Sequence, residues 1–259
     1  MADTRARAPK GDLATFEKYS FTDGAFTHDV YRKGTGPVVV VITEMPGISP
    51  MVAGFADRVA ALGLTVVLPD LFGDAGKDPE ALSKIGMLAY GVRSIGGACI
   101  SKEFSVFAAG KSSPVVDWLR ALARQEHARA GGPGVGVVGM CFTGGFALAM
   151  AVDDLVLAPV LSQPSLPMRH KRSIDTSPAD LAVVRGRCAA EGLQVLGLRF
   201  DGDPFVPAER FAYLREQLGD GFVAVELRQE DGHPDGPLGK HHSVLTGDLI
   251  DEPGEPTRA

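Results

Sequence analysis

Five consecutive β-branched residues, Val38-Val39-Val40-Val41-Ile42, leave no polar face on the segment that carries them. Such a strand needs cover on both sides, which points to the middle of a mainly parallel sheet. Comparable apolar runs recur at 64–68, 135–138, 155–161, 195–200 and 222–227. Between them, apolar residues return at the three- and four-residue spacing of a helix face: Val52, Phe55, Val59 and Leu62, then Val115, Trp118, Leu119 and Leu122, then Phe211, Leu214 and Leu218. Strands alternating with such helices predict an α/β fold, a mostly parallel central sheet with helices on both faces. Ahead of it, 16–20 and 26–32 flank the turn Thr22-Asp23-Gly24 and read as an antiparallel hairpin.

The 259 residues suit one domain spanning 1–259. Residues 1–11 read as flexible, the Gly-rich stretch 73–110 as an excursion over the sheet edge, and 164–178 as a shorter one. The Pro/Gly-rich stretch 247–259 reads as a tail, with no room for a helix after the final strand. A net charge of −6 offers neither a basic footprint for nucleic acid nor a polybasic membrane anchor. No apolar run is long enough for a signal peptide or a membrane span. Cys99, Cys141 and Cys188 lie far apart with no CxxC, which fits a reducing compartment, and a cytoplasmic location is expected.

The stretch from Gly134 to Met150, GVGVVGMCFTGGFALAM, carries the chemistry. A buried strand ends at Val138, a helix starts near Phe142, and Cys141 sits at the turn between them. This is the layout of a nucleophile elbow, in which small neighbours let a tight turn lift the reactive side chain above the carboxyl edge of the sheet. A helix start there favours a thiolate and presents free N–H groups to an oxyanion. Gly134, Gly136 and Gly139 also spell GxGxxG, but they lie before and within the strand, whereas a dinucleotide fingerprint follows one.

An elbow of this kind takes an acid after a later strand and a histidine after the last. Asp201 and Asp203 follow the run 195–200, and Asp203, lying further beyond the strand end, fits the acid better. His233, His241 and His242 follow the run 222–227. With Asp231 and Asp235 they form a cluster, but without the spacing of a known metal motif, so no metal is assigned.

Together, Thr43-Glu44-Met45-Pro46-Gly47, Pro69-Asp70-Leu71-Phe72-Gly73, Gly139-Met140-Cys141, Asp203-Pro204-Phe205-Val206-Pro207 and His242-Ser243 resemble the dienelactone hydrolase family of cysteine-dependent α/β hydrolases. The resemblance runs over about residues 28–246 and implies the α/β-hydrolase fold. It implies Cys141 as nucleophile, Asp203 as acid and His242 as base, with His233 the alternative for the base. It also implies Glu44 as an additional carboxylate that swings between the cysteine and an arginine. The oxyanion is expected on the backbone N–H groups of Met45 and Phe142, and Arg199, with Arg210 beyond it, is a candidate for holding a substrate carboxylate. The implied activity is hydrolysis of a small-molecule carboxylic ester or lactone through a thioester, without a cofactor. A non-catalytic or redox-sensing binding protein on the same fold is the alternative. Two departures stand out: Thr143 where the family has glycine, and Thr43 where related sequences often have histidine.

Overall fold

The computed structural model describes residues 5–83, 86, 104, 112–236 and 239–258. Strands β1 (Glu17–Asp23) and β2 (Phe26–Lys33) form the hairpin; β3 (Val38–Ile42), β4 (Thr65–Pro69), β5 (Val135–Met140), β6 (Val156–Ser162), β7 (Val195–Phe200) and β8 (Phe222–Leu227) follow. All eight join one sheet in the order β1-β2-β4-β3-β5-β6-β7-β8. β2 runs antiparallel to β1 and β4, and the remaining pairs are parallel. This is the mostly parallel, helix-covered sheet of an α/β-hydrolase fold.

The alternation along the central strands divides the core. Val38, Val40 and Ile42 of β3 pack with Val135 and Val137 of β5 against α2 (Val115–Ala130) and α3 (Gly144–Met150). Val41, Val66, Leu68, Val138 and Met140 point the other way, against Val52, Ala56 and Val59 of α1 (Pro50–Ala61). The start of α1 is set by Ser49, whose hydroxyl accepts the Val52 N–H, followed by Pro50 with its preset backbone angle. Helices α4 (Pro178–Glu191) and α5 (Ala208–Leu218) cover β6 to β8 on the α2 side, and Gly192 ends α4 in the left-handed conformation.

No α-helix follows β8 among the described residues, and the chain beyond it does a helix's work in another way. Phe200 and Leu227 bury Val244, while Arg58 of α1 donates to the Leu245 carbonyl at 2.9 Å. Residues 5–11, expected as a flexible lead-in, dock on this same end. Arg7 bridges Ile250, the Asp251 N–H donates to the Ala6 carbonyl, and Ala8 packs with Met51 and Leu249. The expected tail is likewise packed, with Ile250 fully buried and Leu249 seated on Met51 of α1 and on Ala8. Most of the excursion placed at 73–110, Cys99 included, lies outside the described residues. No helix among the described residues is long and apolar enough to cross a membrane.

Candidate active site

Parallel strands of one sheet deliver their carboxyl ends to a common edge, where open α/β sheets hold their ligands. Glu44 follows β3, Cys141 follows β5, Ser165 follows β6, Asp203 follows β7 and His242 follows β8.

Cys141 has φ = 53°, a conformation that non-glycine residues adopt rarely. The surrounding residues enforce it. At Gly139 a Cβ would be driven into the Thr143 carbonyl oxygen, and at Gly144 it would lie 2.6 Å from Pro164 Cα. Thr143, the departure from the family's glycine, does not point its hydroxyl into a pocket. The hydroxyl is fully buried, donates to the Ile42 carbonyl at 2.8 Å and accepts the Met140 N–H at 3.0 Å, tying the turn to the end of β3.

His242 Nδ1 lies 2.7 Å from Asp203 Oδ2, and both residues are buried. The other Asp203 oxygen accepts the Phe205 N–H at 2.8 Å, which fixes the carboxylate. His242 Nε2 is buried and makes no hydrogen bond of good geometry. Burial pulls the imidazolium pKa down, but the charge and hydrogen bonding of Cys141, together with the Asp203 carboxylate, outweigh it and hold the pKa well above the ordinary 6.5. The imidazole thus has the Asp203 carboxylate on one nitrogen and lies near enough to Cys141 to feel its charge.

The rival histidine is elsewhere. His233 Nε2 pairs with the Arg5 carbonyl at 3.0 Å and its Nδ1 accepts the Asp235 N–H, so it anchors the amino-terminal segment. His241 pairs with Asp248 and Asp231 with Arg228, so the five-residue cluster disperses to separate partners. Asp201 caps the Gln229 N–H at 3.0 Å at the surface and does not reach His242 as Asp203 does.

Three expectations change on contact with the geometry. Among the described residues Glu44 meets no arginine: it accepts from Ser243 Oγ at 2.9 Å, Gln163 Nε2 at 3.1 Å and Thr246 Oγ1, and so links β3 to the loop carrying His242. Arg199 is unsuited to a substrate carboxylate, because Nε and Nη2 engage Glu226 at 2.7 and 2.6 Å and Nη1 donates to the Val206 carbonyl, with Phe211 beneath the guanidinium. Arg210 is almost fully buried and donates to the carbonyls of Pro164, Pro167 and Ser173 at 2.7–2.8 Å; burial lowers its pKa to about 10.

Apolar walls flank the sulfur. Phe72, Phe104, Phe142 and Phe146 stack and cross edge to face at 5.4–6.2 Å, and Cys141 packs against the same cluster. Phe205, half exposed, stands edge-on to His242 at 5.2 Å.

Sequence reasoning overlooked Asp248, which is buried and accepts the backbone N–H groups of both His242 and Ser243 at 2.8 Å and His241 Nδ1 at 2.7 Å. It lies in the expected tail, where no pattern marks a residue as folding back. Ser165 was overlooked as well, although Ser-Gln-Pro-Ser following an apolar run at the carboxyl edge is a legible signal.

A family model described as the dienelactone hydrolase family matches residues 29–187. Among solved structures, the chain is similar to a dienelactone hydrolase from Anabaena variabilis ATCC 29413, at 18% identity and TM-score 0.56, over 94% of this chain and 93% of that one. It is similar also to a dienelactone hydrolase-like promiscuous phosphotriesterase from metagenomic libraries, at 20% identity and TM-score 0.56, over 88% of this chain and 90% of that one. At such identities these structures speak to the fold. No curated protein matches the chain.

Proposed function

The chain belongs to the dienelactone hydrolase family of ester-bond hydrolases, and from that premise we propose that it cleaves a small carboxylic ester or lactone with a Cys141–His242–Asp203 triad. One observation carries the reading: the buried His242 imidazole has Asp203 at 2.7 Å on one nitrogen and Cys141 raising its pKa from the other side.

Reaction begins when the Cys141 proton passes to His242 and the sulfur becomes the thiolate. The sulfur attacks the ester carbonyl, and the N–H groups of Phe142 and Met45 take the oxyanion. Collapse of the tetrahedral species breaks the C–O bond, and the His242 imidazolium protonates the departing alkoxide, leaving a thioester on Cys141. Neutral His242 then removes a proton from water, the hydroxide attacks the thioester, and the sulfur leaves as thiolate with the acid as product. Net, one water is added across the ester bond. Glu44, held by three neutral donors, ties the His242 loop to β3.

The walls of Phe72, Phe142 and Phe205, and the commitment of Arg199 and Arg210 to protein groups, favour a neutral substrate with an apolar body. A nucleophile that must stay a free thiol suits the reducing cytoplasm.

Hydrolysis of p-nitrophenyl acetate and of a neutral lactone, with and without iodoacetamide, tests the proposal. Cys141→Ala is expected to abolish turnover, His242→Ala to lower it by orders of magnitude and His233→Ala to leave kcat within about twofold. Turnover that survives in Cys141→Ala overturns it.

A further inference from the structure

Ser165 touches the proposed nucleophile twice. Its backbone N–H donates to the Cys141 carbonyl at 2.9 Å, and its hydroxyl lies 3.5 Å from Cys141 Sγ, as acceptor of the thiol proton in this arrangement. The residue is buried, and among the described residues the sulfur is the hydroxyl's one hydrogen-bond partner.

The loop that carries Ser165 is built to hold it there. Pro164 sits so close over Gly144 that a Cβ on that glycine would come within 2.6 Å of Pro164 Cα. Arg210 spans the loop from outside, one terminal nitrogen on the Pro164 carbonyl and the other on the Pro167 carbonyl, each at 2.7 Å, so the guanidinium brackets Ser165. Its Nε reaches on to the Ser173 carbonyl at 2.8 Å. A buried arginine that gives its donors to the backbone of one loop fixes that loop's position. What it fixes beside the sulfur is a hydroxyl with a rotatable proton.

A serine hydroxyl carries one donor and two acceptor sites, so its role reverses with the state of its partner. Facing a thiol it accepts; facing a thiolate it turns its proton toward sulfur. Hydrogen bonds to an ionised group are the stronger kind.

We propose that Ser165 is a further catalytic residue whose hydroxyl donates to the Cys141 sulfur whenever that sulfur carries charge. This role rests on Cys141 being the nucleophile. It stabilises the thiolate that attacks and, after water has added to the thioester, the thiolate that leaves. No bond to Ser165 forms or breaks, and its proton stays on oxygen.

The test is the pH dependence of Cys141 alkylation by iodoacetamide, followed by peptide mass spectrometry, in the wild type, Ser165→Ala and Ser165→Thr. Losing the hydroxyl is expected to move the midpoint upward by about one pH unit, a roughly tenfold lower alkylation rate at pH values below it. Ser165→Thr, which keeps a hydroxyl, is expected to restore most of the shift, and Ser165→Ala to lower kcat with KM changed by less than about twofold. A midpoint that stays in place in folded Ser165→Ala overturns the role, even if kcat falls, because a structural effect alone would leave the midpoint unmoved. If the wild-type label falls on Cys99 or Cys188, the nucleophile assignment itself fails and this role with it; an unmoved midpoint with label on Cys141 removes Ser165 alone.

Discussion

Asp175 is fully buried, and neither carboxylate oxygen has a hydrogen-bond partner. It lies hard against the first turn of α3, where a Cβ on Gly145 would collide with its Oδ1. Burial pushes its pKa from 3.8 to about 7, with only Arg210 opposing through charge. The folded carboxyl thus holds its proton more tightly than the unfolded one. Between pH 3.8 and about 7 the folded state carries an extra proton, so this group lowers stability as pH rises through that window and its effect is constant above it. About 3 units at 1.36 kcal/mol each amount to about 4 kcal/mol. Arg210 stays charged throughout, since its own pKa is about 10. Asp175→Asn keeps the shape of the protonated acid and removes the titration. Urea unfolding of both proteins from pH 5 to pH 8 is expected to show the variant more stable by about 4 kcal/mol at pH 8 and by about 2 kcal/mol at pH 5. Stability curves that run parallel over that range would refute the reasoning, because they would mean that Asp175 does not titrate within it.

Arg199→Ala is expected to cost about 2 kcal/mol in urea unfolding through loss of packing on Phe211 and of the Glu226 pair, while KM for charged and neutral esters stays unchanged. A rise in KM confined to a carboxylated substrate would return Arg199 to the binding site. Asp248→Ala removes the oxygen that the His242 and Ser243 N–H groups share, so kcat is expected to fall at least about tenfold with KM little changed. Steady-state kinetics with an unchanged kcat would show that the His242 loop holds itself. Thr143→Val removes the hydroxyl between β3 and the nucleophile turn and is expected to destabilise by about 1–3 kcal/mol, read from thermal unfolding, with a loss of kcat beyond that of KM.

The sheet was legible because its strands are buried on both faces: a run such as 38–42 has few other places to go. The elbow was legible for a related reason, since a cysteine between an apolar strand and a glycine-flanked helix start occupies a position that sterics rarely permit. Asp203 could be ranked by its distance beyond its strand end, and His242 by the family resemblance alone, since in the fold the loop after β8 doubles back and sends His233 to Arg5. The two arginines were harder to place. In sequence Arg199 and Arg210 look free to hold a substrate carboxylate, whereas burial with a full set of acceptors depends on contacts 5 to 46 residues away. The ordered carboxyl end was hidden too, since a Pro/Gly-rich composition says little about whether Leu249 and Ile250 find an apolar surface to cover.

Rapid-quench mass spectrometry of the enzyme with a slowly turned-over p-nitrophenyl ester tests the central claim most directly. A single acyl group is expected on the peptide containing Cys141, forming before steady state, disappearing as acid is released and absent in Cys141→Ala. An acyl group on Cys99 or Cys188, or turnover at the wild-type rate with no acylated peptide, would contradict it.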